Sequence, residues 1–204
     1  MEIIFATKNK GKLKEVKEIL KDYTVFGMEA AGVDIDVVED GETFEENALK
    51  KAVQIMQAVG EASGKIVLSD DSGMEIDYLN GEPGVDSANY MGRDTPYAVR
   101  NAAILDMLKD AKGNERSARY VAVIAAAFPN GKTLIAKGIM EGYIGFEQRG
   151  EGGFGYDPIF YPHGYEQSVA ELSAETKNMI SHRGMALREM VELLKGNAIL
   201  RNNE

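Results

Sequence analysis

The sequence has no cysteine, which excludes disulfides, thiolate nucleophiles and cysteine metal sites and fits a reducing compartment. No apolar run approaches the roughly 18 residues a membrane span requires, and Met1-Glu2-Ile3-Ile4-Phe5-Ala6 lacks the basic start of a secretory signal. A cytoplasmic protein with no membrane partner is expected. Positive charge is also short: 23 Lys and Arg stand against 33 Asp and Glu, a formal net charge of −10. Binding to a nucleic-acid polymer draws its affinity from neutralising many phosphates, so this balance argues against such a main partner. A small anion needs only a few cations gathered in one place. No linker, internal repeat or low-complexity tract interrupts the chain. With 44% hydrophobic content, its 204 residues can bury a real core as one domain over 1–204, or as two closely packed lobes.

What is present is chemistry at the ends of apolar segments. Ile66, Val67 and Leu68 read as a buried strand that runs into Ser69-Asp70-Asp71-Ser72-Gly73, placing the acids at a carboxyl end, where α/β sheets bind ligands. Hard carboxylate oxygens there suit Mg²⁺ and, through it, phosphate; the same residues also fit an acidic turn closed by Ser72-Gly73. Ile3-Ile4-Phe5-Ala6 reads as a first strand, followed by Thr7-Lys8-Asn9-Lys10-Gly11-Lys12 and a helix with Leu13, Val16, Ile19 and Leu20 on one face. Strand, basic loop and helix start form a phosphate-binding geometry. This is not a Walker A loop, because Lys12 is followed by Leu13 rather than by a Ser or Thr that could hold a metal. Metal ligands must come from elsewhere.

The acidic stretch Asp34 to Glu42 leads into a helix capped by Thr43 and Glu46, with Asn47 and Lys51 one turn apart on a second face. Glu39 can complete a carboxylate site with Asp71, or be an ordinary exposed acid. Thr95-Pro96 starts another helix carrying Ala102, Leu105 and Leu108. The strands Tyr120–Phe128 and Thr133–Met140 flank the turn Pro129-Asn130-Gly131. Gly150-Glu151-Gly152-Gly153-Phe154-Gly155-Tyr156-Asp157 lets backbone approach a ligand and offers two aromatic faces to a base, unless those aromatics fold into the core. Lys177, His182 and Arg183 precede a helix and suit an anion or a purine edge. Helices and strands alternating before a hairpin give an α/β protein with a mixed sheet.

Taken in order, Thr7 to Lys12, Thr43-Phe44-Glu45-Glu46-Asn47-Ala48, Ser69 to Gly73, Gly81-Glu82-Pro83-Gly84-Val85-Asp86-Ser87-Ala88, Gly153-Phe154-Gly155-Tyr156-Asp157-Pro158 and Ser181-His182-Arg183-Gly184 resemble the ITP/XTP pyrophosphatases, enzymes that remove non-standard purine nucleoside triphosphates. The resemblance implies an α/β fold with a long central mixed sheet flanked by helices, two lobes around a nucleotide-binding cleft, and a homodimer. It also implies hydrolysis of ITP, dITP or XTP to the monophosphate and pyrophosphate with Mg²⁺. Carried over by position, Thr7, Lys8, Asn9, Lys10, Gly11 and Lys12 hold phosphates, and Ser72 contacts substrate. Asp71 binds the metal and acts as general base, with Asp70 and Lys51 assisting. Phe154, Gly155, Tyr156, Asp157, Lys177, His182 and Arg183 line the nucleotide pocket. Glu39 is the second metal ligand, with Asp36 and Glu42 as alternatives.

Overall fold

The structure is a computed structural model that describes residues 2–201. Eleven of its elements set the architecture. They are β1 (Glu2–Ala6), α1 (Lys10–Ile19), β2 (Thr24–Gly27), α2 (Phe44–Val59), β3 (Ile66–Ile76), α3 (Tyr97–Met107), β4 (Ser117–Ala127), β5 (Thr133–Ile144), β6 (Phe160–Pro162), α4 (Ala174–Ile180) and α5 (His182–Arg201). The six strands form one sheet in the order β2-β1-β3-β4-β5-β6. β1 runs parallel to β2 and β3, and β5 runs antiparallel to β6, so the sheet is mixed as expected. β4 and β5 are joined through a tight reversal in which the Phe128 N–H donates to Lys132 O at 2.9 Å and Gly131 takes a positive φ of 80°. Only a reversal fits so short a connection.

The chain divides into two compact units, at Asp71/Ser72 in mid-β3, at Val121/Ala122 in β4, at Gly138/Ile139 in β5 and at His182/Arg183. In the first unit, strand alternation separates two faces. Ile3, Phe5, Ile66 and Leu68 point into a core closed by Val16 of α1, by Leu20 at its C-cap and by Ala186, Leu187, Met190 and Leu194 of α5. The other face carries Ile4, Val67 and Ser69, and Ser69 Oγ donates to Ala48 O of α2 at 2.5 Å. In the second unit, α3 buries Arg100, Asn101 and Ile104, whereas Ala102 of the expected face is exposed. The polar pair is buried because it has partners: Arg100 donates to Ala88 O at 2.8 Å and Gly92 O at 2.9 Å, pinning the preceding loop, and Asn101 donates to Gly155 O at 3.2 Å.

The two aspartates are not in a turn after a strand. β3 runs 11 residues, through Ser72 and Gly73 to Ile76. The parallel pairing with β1 does end at Ala6–Ser69, so the acids sit one and two residues beyond the carboxyl end of β1.

Candidate functional site: two aspartates on two faces of one strand

Adjacent strand residues point to opposite faces, so Asp70 and Asp71 enter different surroundings. Asp70 shares the face of Ile66 and Leu68. There Arg183 Nε donates to its Oδ2 at 2.8 Å, Lys12 Nζ bonds its Oδ1, and Arg183 Nη1 reaches Glu15 Oε2 at 2.5 Å. Burial alone would raise the Asp70 pKa, but the Arg183 and Lys12 cations outweigh it and hold the carboxyl far below the usual range. Burial also opposes the Arg183 charge, and Asp70 with Glu15 overcome it. Asp70 is therefore a permanent anion locked between two cations.

Asp71 faces the side of α2. Lys51 of α2, its side chain only 12% exposed, donates to Glu39 Oε1 at 2.7 Å. The Asp71 carboxyl is pushed up to about 6, first by burial and then by the Glu39 and Asp70 charges, against the opposing pull of Lys51 and Lys12. An acid with a pKa near 6 is ionised at neutral pH yet basic enough to take a proton. Among the three upstream acids, Glu39 is the one whose charge acts on Asp71, whereas Asp36 is bonded to Lys8 at 2.7 Å. Asn47, buried in the first turn of α2, accepts the Gly41 N–H at 2.7 Å and so ties the acidic segment to the helix. Glu46 accepts the N–H of Glu42 at 2.8 Å rather than that of Thr43, so only the Thr43 half of the expected capping box forms.

No group of three or more His, Cys, Asp or Glu side chains among the described residues is arranged for a metal ion. Asp71 and Glu39 offer two carboxylates. That donor set fits Mg²⁺, which is commonly held by one or two carboxylates with water and substrate phosphate completing its shell.

The basic loop departs from expectation in one respect. The N–H groups of Gly11 and Lys12, expected to meet phosphate, are taken by Asn9 Oδ1 at 2.8 and 3.1 Å, because Asn9 is the N-cap of α1. Thr7 Oγ1 in turn accepts the Asn9 N–H at 3.1 Å. Of the three lysines, Lys12 joins the buried acids, Lys8 is bound to exposed Asp36 and Asp34, and Lys10 is exposed. The loop thus offers ammonium groups and the Asn9 side-chain amide more than helix-end N–H groups.

A second cluster lies in the second unit. Lys177 Nζ donates to Asp157 Oδ2 at 2.6 Å and lies 4.6 Å from the centre of the Phe154 ring. The Phe154 N–H donates to the same oxygen at 2.8 Å. Gly153 has φ of +67°, and a Cβ there would run into the Asp157 carboxylate, so both conformation and space require glycine. Of the two aromatics expected to offer faces to a base, only Phe154 is partly exposed. Tyr156 is folded inward: its ring meets Tyr97 edge-on at 5.2 Å and its hydroxyl donates to Ser87 O at 2.7 Å, so it braces the loop. Gly155, also at positive φ, is held by Asn101. Ser72 is half-buried on β3, and His182 opens α5. Arg183, expected in the nucleotide pocket, is 2% exposed with Nε and Nη1 engaged by Asp70 and Glu15. Through those two atoms it anchors the first cluster.

Reasoning from sequence missed Glu15 and Tyr120 as members of these clusters. Glu15 was within reach, since it lies three residues after Lys12 on one face of α1.

A mixed α/β sheet with a buried, charge-coupled acid just past the end of its parallel strands is the arrangement of an enzyme acting on small ligands. The comparisons make the assignment specific: the Ham1 family model matches residues 3–193, and the chain belongs to that family. It is 45% identical over 200 residues to a protein of Clostridium perfringens named dITP/XTP pyrophosphatase, covering 96% of this chain and 98% of that one. A Bacillus subtilis protein of the same name is 43% identical, with 95% and 97% covered. A solved HAM1 protein structure from Coxiella burnetii superposes with a TM-score of 0.82 at 40% identity, covering 96% of this chain and 99% of that one.

Proposed function

We propose that the protein is a nucleoside-triphosphate pyrophosphatase that hydrolyses non-standard purine nucleotides (ITP, dITP and XTP) to the monophosphate and pyrophosphate. The names of its relatives at 43–45% identity over nearly the whole chain support the reaction. The observation that carries it is Asp71, a buried carboxyl two residues past the carboxyl end of β1, on which the charges of Glu39, Lys51 and Lys12 act. In this reading Asp71 takes a proton from water as the water oxygen bonds to the α-phosphorus. The bond from that phosphorus to the bridging oxygen breaks, and pyrophosphate leaves with the electron pair. Mg²⁺, held by Asp71 and Glu39, supplies positive charge for the phosphate oxygens when bound. Lys12 and Lys51 neutralise charge that develops on the leaving group, and Asp70 with Arg183 keeps Lys12 in place.

The second cluster reads the base. Hypoxanthine and xanthine present an oxygen at C6 where adenine presents an amino group. Lys177 is a donor only, so it is satisfied by the former and not by the latter. The partly exposed ring of Phe154 offers a stacking face. Following the family resemblance, the enzyme works as a homodimer in the cytoplasm. No helix of the described residues is long and apolar enough to cross a membrane.

The test is to incubate purified protein with Mg²⁺ and ITP, dITP, XTP, GTP and ATP, then resolve pyrophosphate from orthophosphate. Pyrophosphate from the first three, with ATP turned over least and EDTA abolishing release, is expected. Orthophosphate release, or equal turnover of ITP and ATP, overturns the assignment. Light scattering on the eluting protein checks the dimer.

A further inference from the structure

The base-reading cluster has a member that no part of the proposed chemistry requires: Tyr120 of β4. Its buried hydroxyl donates to Asp157 Oδ1 at 3.3 Å, and its ring stacks on His182 with centroids 4.7 Å apart and planes 8° from parallel. The ring also rests on Phe160 at 4.6 Å. Asp157 therefore receives donors from three directions: Lys177 of α4 and the Phe154 backbone on Oδ2, and Tyr120 on Oδ1.

We propose that Tyr120 is a specificity-determining positioning residue, fixing the Asp157 carboxylate through its hydroxyl and the His182 ring plane through stacking. The inference rests on the base-reading role proposed for the cluster of Asp157, Lys177 and Phe154. Asp157 sits in an irregular segment whose backbone is pinned, its N–H donating to Phe154 O at 3.4 Å and its carbonyl accepting the Ala170 N–H at 3.3 Å, but those bonds leave the rotation of its carboxylate to side-chain partners. A central strand is rigid, and a donor projecting from it fixes the orientation of the Asp157 carboxylate. Burial, reinforced by the Asp157 charge, raises the phenol well above its ordinary value, so the hydroxyl keeps its proton and always donates. Phenylalanine would fill the same space, so packing alone does not require the oxygen. Burying a hydroxyl is favourable only with a partner, and its partner here is Asp157.

The experiment compares the parent with Tyr120→Phe, Asp157→Asn and the double variant, reading KM and kcat for ITP and ATP. Inorganic tripolyphosphate serves as a competitive inhibitor that has no base. Tyr120→Phe is expected to raise KM for ITP roughly two- to tenfold, the worth of one hydrogen bond, with kcat moving less. The ITP-to-ATP ratio of kcat/KM is expected to shrink, while the tripolyphosphate inhibition constant stays put. The double variant is expected to be no worse than Asp157→Asn, because the hydroxyl acts through that carboxylate. A purely structural Tyr120 would shift all ligands together and add to Asp157→Asn, and either result overturns the proposal. An ITP-to-ATP ratio that moves in Asp157→Asn but not in Tyr120→Phe overturns it alone. A ratio that moves in neither removes the base-reading assignment beneath it.

Discussion

Replacing Asp71 with Asn is expected to make the protein inactive and more stable. The carboxyl is 6% exposed, and its pKa lies at about 6 against 3.8 for an ordinary Asp. Because the folded-state value is raised, the native protein binds more protons than the unfolded chain between about pH 4 and pH 6, and stability falls as pH rises through that window. Above it the deficit is constant, at about 3 kcal/mol, an upper figure because local relaxation reduces it. An Asn side chain is isosteric and never ionises, so the variant escapes the deficit. In metal-free buffer with EDTA at pH 7, Asp71→Asn should unfold above the parent by up to ~6–12 °C, since ~1 kcal/mol corresponds to ~2–4 °C in a chain of this size. At pH 4 the two melting temperatures should nearly converge. The assay is thermal unfolding at half-unit pH steps, paired with pyrophosphate release from ITP. A variant less stable than the parent at pH 7, or a difference independent of pH, refutes the reasoning. An active enzyme would then be carrying no strained base at this position.

The same substitution one residue earlier should have the opposite sign. Asp70 is held far below its ordinary pKa, so its contribution is present above about pH 4 and is lost only in strong acid. Asp70→Asn leaves Lys12 and Arg183 with less compensation and should destabilise by roughly 3–5 kcal/mol, evenly from pH 5 to 8, read as a shift in urea midpoint. Lys12→Ala should raise KM and lower kcat/KM by a similar factor for ITP, XTP and GTP, because an ammonium facing phosphate does not sense the base; a loss confined to ITP contradicts that role. Gly153→Ala should weaken ITP binding and lower stability by ~1 kcal/mol or more, since the added Cβ meets the Asp157 carboxylate at a φ of +67°. Unchanged KM in that variant means the glycine is not needed to seat Asp157.

The fold was largely legible because its signals are local. Apolar periodicity gave α1, α2 and α5, and the Pro129-Asn130-Gly131 turn gave the β4–β5 reversal. The failures came where tertiary partners override composition. Ser72 and Gly73 left a turn open as one of two readings, yet the strand runs through them because β4 lies alongside β3 in the sheet. The helix after Pro96 read as burying Ala102, Leu105 and Leu108, yet Ala102 is exposed and Arg100 and Asn101 are buried because carbonyls of the 88–92 loop and of Gly155 receive them. A sequence does not display which carbonyls will need a donor.

The site shows the same limit at finer grain. The pair Asp70-Asp71 is visible at once as chemistry, but as a pair it suggests two equivalent acids sharing a task. Strand alternation divides them: Asp70 shares the face of Ile66 and Leu68, which pack toward α1 and α5, and Asp71 shares that of Ser69, which bonds α2. The first face supplies Arg183 and Lys12, which make Asp70 a fixed anion, and the second supplies burial and Glu39, which make Asp71 a weak acid. The side-chain type is identical in the two, so reactivity here is a property of the face rather than of the residue. The cations follow the same rule. Lys12 and Arg183 both looked like ligand contacts, but a guanidinium with two carboxylates already around it adds little net charge toward a substrate. Its effect is instead to keep Asp70 ionised, so that Asp70 retains its grip on Lys12 and adds to the electrostatic load that holds Asp71 basic.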